Sequence, residues 1–232
     1  MGWCGFVGHP GDFPAWISAI RLAKMDESLA DQKTALRKAA RAARKAAKIE
    51  IASESQVLES QIANRLLALP EYQSAKCVMW YIDVRDEVPT RAAIQAGLDG
   101  GKIVVVPYCV DGELELFLLR SMRDVEPGEY GILEPKVSLR QIADRRPRVA
   151  DIDLIVVPGV AFGIDGERLG HGKGYYDKLL SNAKPETMLV GLAMQCQIFD
   201  KLPMQDHDIY MDRVVTEENV YQGRGRRQSK RK

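Results

Sequence analysis

The chain has 232 residues, 46% of them hydrophobic and 28% charged, with a formal net charge of +1. That length suits one domain with a real buried core, and the composition excludes disordered, collagenous and membrane classes. No run reaches the ~18 to 20 apolar residues of a membrane span, and the four cysteines form no CxxC or CxxH zinc pair. Reduced thiols in a cytoplasmic protein are expected.

Residues 1–24 are rich in Gly and Pro, carry Trp3, Phe6, Phe13 and Trp16, and lack a secretory pattern. They are expected to lie outside the catalytic domain, either as a docking extension or as sequence upstream of a start at Met25. From Asp31 to Ile49 the chain turns to Ala, Lys and Arg, strong helix formers. Ser53 and Gln56 have capping-box spacing, and Val57, Leu58, Ile62, Leu66 and Leu67 recur at helical intervals. This predicts a second helix to about Ala68, stopped near Pro70.

Short apolar runs then predict strands over Cys77–Ile82, Ile103–Pro107, Leu114–Leu119, Ile152–Val157 and Met188–Ala193. Helices are expected over Thr90–Leu98, Ser138–Ala143 and Gly174–Ser181. The β-branched runs at 103–106 and 152–157 have the pattern of strands covered on both faces. The result is a layered α/β domain over residues 25–222 with a mainly parallel sheet. The tail, Gly223–Lys232, has six basic residues in ten and is expected to be disordered. Positive charge sits mainly there and in Lys33–Lys48, so any nucleic-acid contact is expected from the tail and not from the fold.

The chemistry points to Pro158–Asp177, which lies between a buried strand and a helix. Gly170, Gly172 and Gly174 alternate with larger residues, so the backbone can approach a ligand and offer N–H groups to anionic oxygens. Arg168 adds a planar fork, Lys173 a point charge, and the following helix its positive end. The stretch is neither a Walker A loop, since Glu167 replaces the required Gly, nor a dinucleotide fingerprint, since Tyr175 takes the third Gly position. It reads as a phosphate cradle, with a plain glycine-rich surface loop as the alternative.

Arg168-Leu-Gly-His-Gly-Lys-Gly-Tyr-Tyr-Asp177 resembles the signature of the 5-formyltetrahydrofolate cyclo-ligase family. Lys33-Thr-Ala-Leu-Arg37, Asp86-Glu-Val-Pro-Thr90, Tyr130-Gly-Ile-Leu-Glu-Pro135 and Leu202-Pro-Met-Gln-Asp-His-Asp208 follow the family's motif order. The resemblance covers about Asp31 to Tyr221. It implies a three-layer α/β/α sandwich and a reaction joining N5 and N10 of 5-formyltetrahydrofolate through the formyl carbon, driven by ATP with Mg2+. It also implies ATP contacts from Lys33, Thr34, Ala35, Leu36 and Arg37 and from Arg168, Leu169, Gly170, His171, Gly172, Lys173, Gly174, Tyr175 and Tyr176. Folate contacts would come from Ile82, Glu87 and His171 to Tyr175, magnesium ligands from Asp177 and Asp208, and the chemistry from Lys173, Arg168 and Tyr175. His171 departs from the Arg or Tyr that many relatives carry there, which leaves open whether it contacts phosphate directly.

Each assignment has a duller competitor. The stripe Lys33, Arg37, Arg41, Arg44 and Lys48 reads as a solvated face beside an apolar stripe of Leu36, Ala40, Ala43 and Ala47; only Lys33 and Arg37 match the family motif. Tyr175 and Tyr176 point about 100° apart on a helix, so one packs and one faces the pocket. Asp86 and Glu87 could merely begin a helix, and His207 and Asp208 could form a surface turn. A monomer is expected. Two other functions fit the same fold: a non-catalytic, RNA-associated relative, or another small-molecule phosphotransferase.

Overall fold

The computed structural model describes residues 28–50, 55–128 and 131–228. The expectations for the 1–24 extension, for Ser53 and Tyr130, and for the last four residues of the tail lie outside the described residues. The elements begin with helices α1 (Leu29–Glu50), α2 (Ser55–Leu67) and α3 (Pro70–Ser74). Strand β1 (Cys77–Met79), helix α4 (Arg91–Asp99) and the hairpin of β2 (Ile103–Val110) and β3 (Glu113–Leu119) follow. A small ribbon of β4 (Val125–Pro127) and β5 (Leu133–Pro135) and the short α5 (Val137–Arg140) lead to β6 (Leu154–Val157). Then come β7 (Ala161–Gly163), β8 (Arg168–Leu169), α6 (Tyr175–Ser181) and β9 (Met188–Leu192). The chain ends with β10 (Ile198–Phe199), β11 (Arg213–Val215), β12 (Val220–Gln222) and α7 (Gly225–Gln228).

Seven strands form one sheet in the order β12-β11-β9-β6-β1-β2-β3. The five central strands pair in parallel, and β3 and β12 close the two edges antiparallel. Strands β1, β6 and β9 carry no polar side chain because the sheet is covered twice there. Val78, Val104, Leu154, Val156 and Val190 point to one face, where Ile62 and Leu66 of α2 and Ile94 of α4 cover them. Their neighbours Met79, Val105, Ile155, Val157 and Leu189 point to the other, against Leu179 and Leu180 of α6. This alternation produces the expected layered α/β fold with its mainly parallel sheet. Among the described residues no helix is long and apolar enough to cross a membrane.

A second, three-stranded sheet, β10-β7-β8, lies beside the main one and carries the glycine loop. Helix α1 packs on it through Leu36 and Ala40, which meet Val160, Ala161, Leu169, Phe199 and Leu202. Phe162 of β7 joins the two sheets. Its ring lies so close to Gly191 of β9 that a Cβ there would meet ring carbon Cε1 at 2.4 Å, and one on Gly159 would meet Cε2 at 2.5 Å.

Three expectations need correction. The first strand ends at Met79, three residues early, because Tyr81 and Ile82 turn away to wall the cleft. The helix expected over Ser138–Ala143 is a single turn, Val137–Arg140, followed by a 3-10 turn, Ala143–Arg145. Arg145 is drawn inward to Asp124 Oδ2 at 2.7 Å and the Leu118 carbonyl at 3.0 Å, which breaks the helical path. The tail is not free over its first half. Arg226 donates to the carbonyls of Leu180, Ala183, Lys184 and Thr187, satisfying acceptors at and beyond the C-terminal end of α6.

Gly191→Ala should destabilise the domain by about 1 to 3 kcal/mol, because the added methyl overlaps the Phe162 ring in a packed core. Thermal unfolding would show a midpoint lower by several degrees; an unchanged midpoint would contradict the role given to Phe162.

Candidate functional site

Along the sheet the parallel strands run β2-β1-β6-β9-β11, so successive connections reverse direction between β1 and β6. At such a switch point the segments leaving neighbouring strands part and leave a crevice at the carboxyl ends. Here the two segments are Trp80–Glu87 and the stretch from Pro158 onward. The crevice is a cavity of about 350 Å³, lined by Lys33, Arg37, Ile82, Glu87, every residue from Arg168 to Asp177, and Asp208.

Arg168 fixes the start of the loop. Its backbone pairs with Phe162, and its side chain is 4% exposed. One guanidinium nitrogen donates to Asp177 Oδ1 at 2.8 Å and the other to the Pro158 carbonyl at 3.2 Å, while the group lies 5.6 Å from the Tyr176 ring centre. The loop's first residue is thereby tied to the end of β6 and the first turn of α6. Between these ties the backbone takes positive φ at Gly172 (96°) and Gly174 (71°), conformations that favour glycine. A Cβ on Gly172 would also sit 3.3 Å from the Arg37 guanidinium.

Helix α1 grips the loop from the side. Arg37 Nε donates to the Gly170 carbonyl at 2.9 Å. Lys33 is buried, and its Nζ donates to Asp208 Oδ2 at 2.5 Å and Gln205 Oε1 at 3.2 Å, so the C-terminal motif joins the same wall. Residues Lys33–Arg37, expected to act together, divide. Lys33 and Arg37 line the cavity, Leu36 is a core anchor, and Thr34 and Ala35 are not among the lining residues. Thr34 instead bonds back to the Ala30 carbonyl at 2.9 Å. The solvated-face reading of the basic stripe fails for Lys33 and also for Arg44, both of which are buried.

Glu87 stands on the other segment. Its Oε2 accepts the Val84 N–H at 3.1 Å, and its Oε1 is 3.6 Å from His171 Nε2. The segment is held by Tyr81, whose hydroxyl donates to the Val88 carbonyl at 2.8 Å, and by Thr90, which donates to the Tyr81 carbonyl at 2.7 Å. Both tyrosines of the signature line the cavity, but their roles differ. Tyr176 is packed against both cores, and burial, with Glu87 nearby, pushes its phenol far above the ordinary range. Tyr175 lies under the Lys173 ammonium, 5.9 Å from its ring centre.

Several lining residues carry no motif and were missed by sequence reasoning: Tyr81, Val84, Pro107, Tyr108, Cys109 and Leu114. They come from three separate stretches and form a largely apolar wall that only the fold assembles. Ile132, Leu133 and Glu134 also line it and belong to a segment that the motif order had flagged. Among the described residues no three His, Cys, Asp or Glu side chains gather as a metal cage. Asp177 and Asp208 each face the cavity while bonded to a cation, Arg168 and Lys33. Such a pair suits a metal that takes most of its oxygens from a ligand. Helix α6 has seven residues, so its dipole adds little and the cationic side chains carry the preference for anions.

A sequence model described as the 5-formyltetrahydrofolate cyclo-ligase family matches residues 29–217. A probable 5-formyltetrahydrofolate cyclo-ligase of Schizosaccharomyces pombe is 33% identical over 181 residues, covering 71% of this chain and 87% of the yeast protein. The 5-formyltetrahydrofolate cyclo-ligase of Escherichia coli is 30% identical over 173 residues, covering 73% and 93%. The solution structure of 5,10-methenyltetrahydrofolate synthetase from Aquifex aeolicus superposes with a TM-score of 0.70 at 34% identity, covering 83% of this chain and 93% of that one. The match spans six of the seven strands of the main sheet, α1, the glycine loop and the Asp208 segment, and the chain belongs to the 5-formyltetrahydrofolate cyclo-ligase family.

Proposed function

We propose that the switch-point crevice is where this chain performs its family's ATP-dependent cyclisation of 5-formyltetrahydrofolate to 5,10-methenyltetrahydrofolate. The observation that carries the reading is the convergence of Arg37, Arg168 and Lys173 on one side of a single cavity that also holds Glu87 and an apolar wall. The cations suit a triphosphate. The carboxylate and the wall suit a pterin, which presents N–H donors on a flat ring.

A formyl oxygen is a weak nucleophile, so the protein's task is to hold it in line with the γ-phosphorus and neutralise the charge that spreads over the transferring group. Arg168 and Lys173 are assigned that neutralisation, with Arg37 steadying the loop and reaching the nucleotide. As the oxygen–phosphorus bond forms, the bond to ADP breaks. N10 then attacks the activated formyl carbon, loses its proton, closes the ring and expels phosphate. Tyr175, beneath Lys173, is assigned to orient the substrate between the two sides. Asp177 and Asp208 would hold magnesium together with phosphate oxygens, and that ion supplies further charge neutralisation. A cytoplasmic setting agrees with the free thiols of Cys77, Cys109 and Cys196.

Mixing the full chain with ATP, magnesium and 5-formyltetrahydrofolate should generate the methenyl chromophore; its absence with active folate would refute the reading. Within the cavity the two sides should separate. Lys173→Ala should raise the KM for ATP about tenfold or more with little change for folate, and Glu87→Gln should do the reverse, each losing a charge-assisted contact. Steady-state titration of both substrates checks this, and a Glu87→Gln effect confined to ATP would move Glu87 to the nucleotide side. Asp177→Asn keeps an acceptor for Arg168, so folding should persist while the magnesium concentration for half-maximal rate rises. An unaltered magnesium dependence would remove Asp177 as a ligand.

A further inference from the structure

His171 sits between Gly170 and Gly172 in the loop, and its ring lies beside two charged groups from different elements. Arg41 of α1 brings Nη2 to 3.1 Å from His171 Nδ1, and Glu87 brings Oε1 to 3.6 Å from Nε2. A guanidinium has five N–H donors and no acceptor. In the Arg41 contact Nδ1 must therefore accept, and the proton of the neutral ring sits on Nε2, facing the carboxylate.

We infer that Arg41 is a positioning residue that acts through His171: it fixes the ring's tautomer and so joins the glycine loop to Glu87. Arg41 follows Arg37 by one helical turn, so the two side chains share one face of α1. Arg37 holds the loop backbone at Gly170, and Arg41 holds the side chain one residue on. The helix that supplies both is anchored by the buried Leu36 and Ala40. The imidazole itself is 53% exposed and follows a glycine, so without Arg41 it would sample both tautomers and other rotamers. Glu87 would then lose the N–H that faces it. The functional part of this inference rests on the assignment of Glu87 to the folate side.

Long-range proton–nitrogen spectra of the full chain, uniformly labelled with ¹⁵N, read the tautomer directly. The chain has three histidines, so His171 is assigned by the signals lost in a His171→Gln protein. The wild type should show the Nε2–H form at His171, Arg41→Ala a mixture of tautomers, and Arg41→Lys, which restores a donor, the wild-type pattern. Arg41→Ala should also raise the KM for 5-formyltetrahydrofolate about three- to tenfold, the loss of one modest hydrogen bond, with kcat within about twofold. Arg41→Lys should recover most of that. An Nδ1–H signature in the wild type, or a tautomer that ignores Arg41, would overturn the inference. So would a tautomer that follows Arg41 while the folate KM does not. The spectrum involves no ligand, so its failure is distinct from failure of the folate assignment, which Glu87→Gln tests.

Discussion

The Arg168 guanidinium is buried where the end of β6, the glycine loop and the first turn of α6 meet, and much else in the site follows from satisfying it. A charge with 4% exposure is costly unless paired and hydrogen-bonded. Asp177 and the Pro158 carbonyl meet that requirement at the two terminal nitrogens, leaving Nε buried without a partner among the described residues, and they can do so only if the loop between residues 168 and 177 folds back on itself. The reversal needs positive φ at Gly172 and Gly174, which explains those two glycines without appeal to a ligand. The same bonds aim Lys173 and Tyr175 into the crevice as a consequence of structure. The residue proposed to neutralise the transferring phosphoryl group is thus also the one that holds the loop together.

Helix α1 plays the complementary part from outside the main sheet. Its apolar stripe seats on the small sheet, and its basic stripe reaches across to Gly170, His171 and Asp208. One helix therefore secures the glycine loop and the C-terminal motif together. The Phe162 ring, pressed on Gly159 and Gly191, sets where the small sheet stands relative to the large one. Cavity shape is then the product of two packed junctions, in place of one flexible loop.

Strands β1, β2, β3, β6 and β9 were legible because each carries a mainly apolar run, and the glycine loop because its cations and glycines are closely spaced. Lys33, Arg37, Glu87 and Asp208 came from the family resemblance, and the fold brings all four to one crevice. What was not legible has physical causes. Strands β7, β8, β10, β11 and β12 have two or three residues, too few for any periodicity to register. The wall of Val84, Pro107, Tyr108 and Leu114 is apolar but ordinary, and nothing local separates it from core. Composition misled at Arg44 and at Arg226, because a charged residue reads as solvated until the fold supplies the carbonyls or the packing that bury it. Thr34 and Ala35 carried motif identity without cavity position, since adjacent helical residues point in different directions.

The central claim is that ATP and folate meet in the crevice between β1 and β6. A crystal structure of the full chain with a non-hydrolysable ATP analogue, magnesium and 5-formyltetrahydrofolate tests it most directly. The account predicts the terminal phosphate against Lys173 and Arg168, the metal beside Asp177, and the pterin at Glu87 with its formyl oxygen toward that phosphate. A nucleotide bound elsewhere, for example in the smaller cavity between Glu113 and Asn182, or a pterin remote from Glu87, would contradict it.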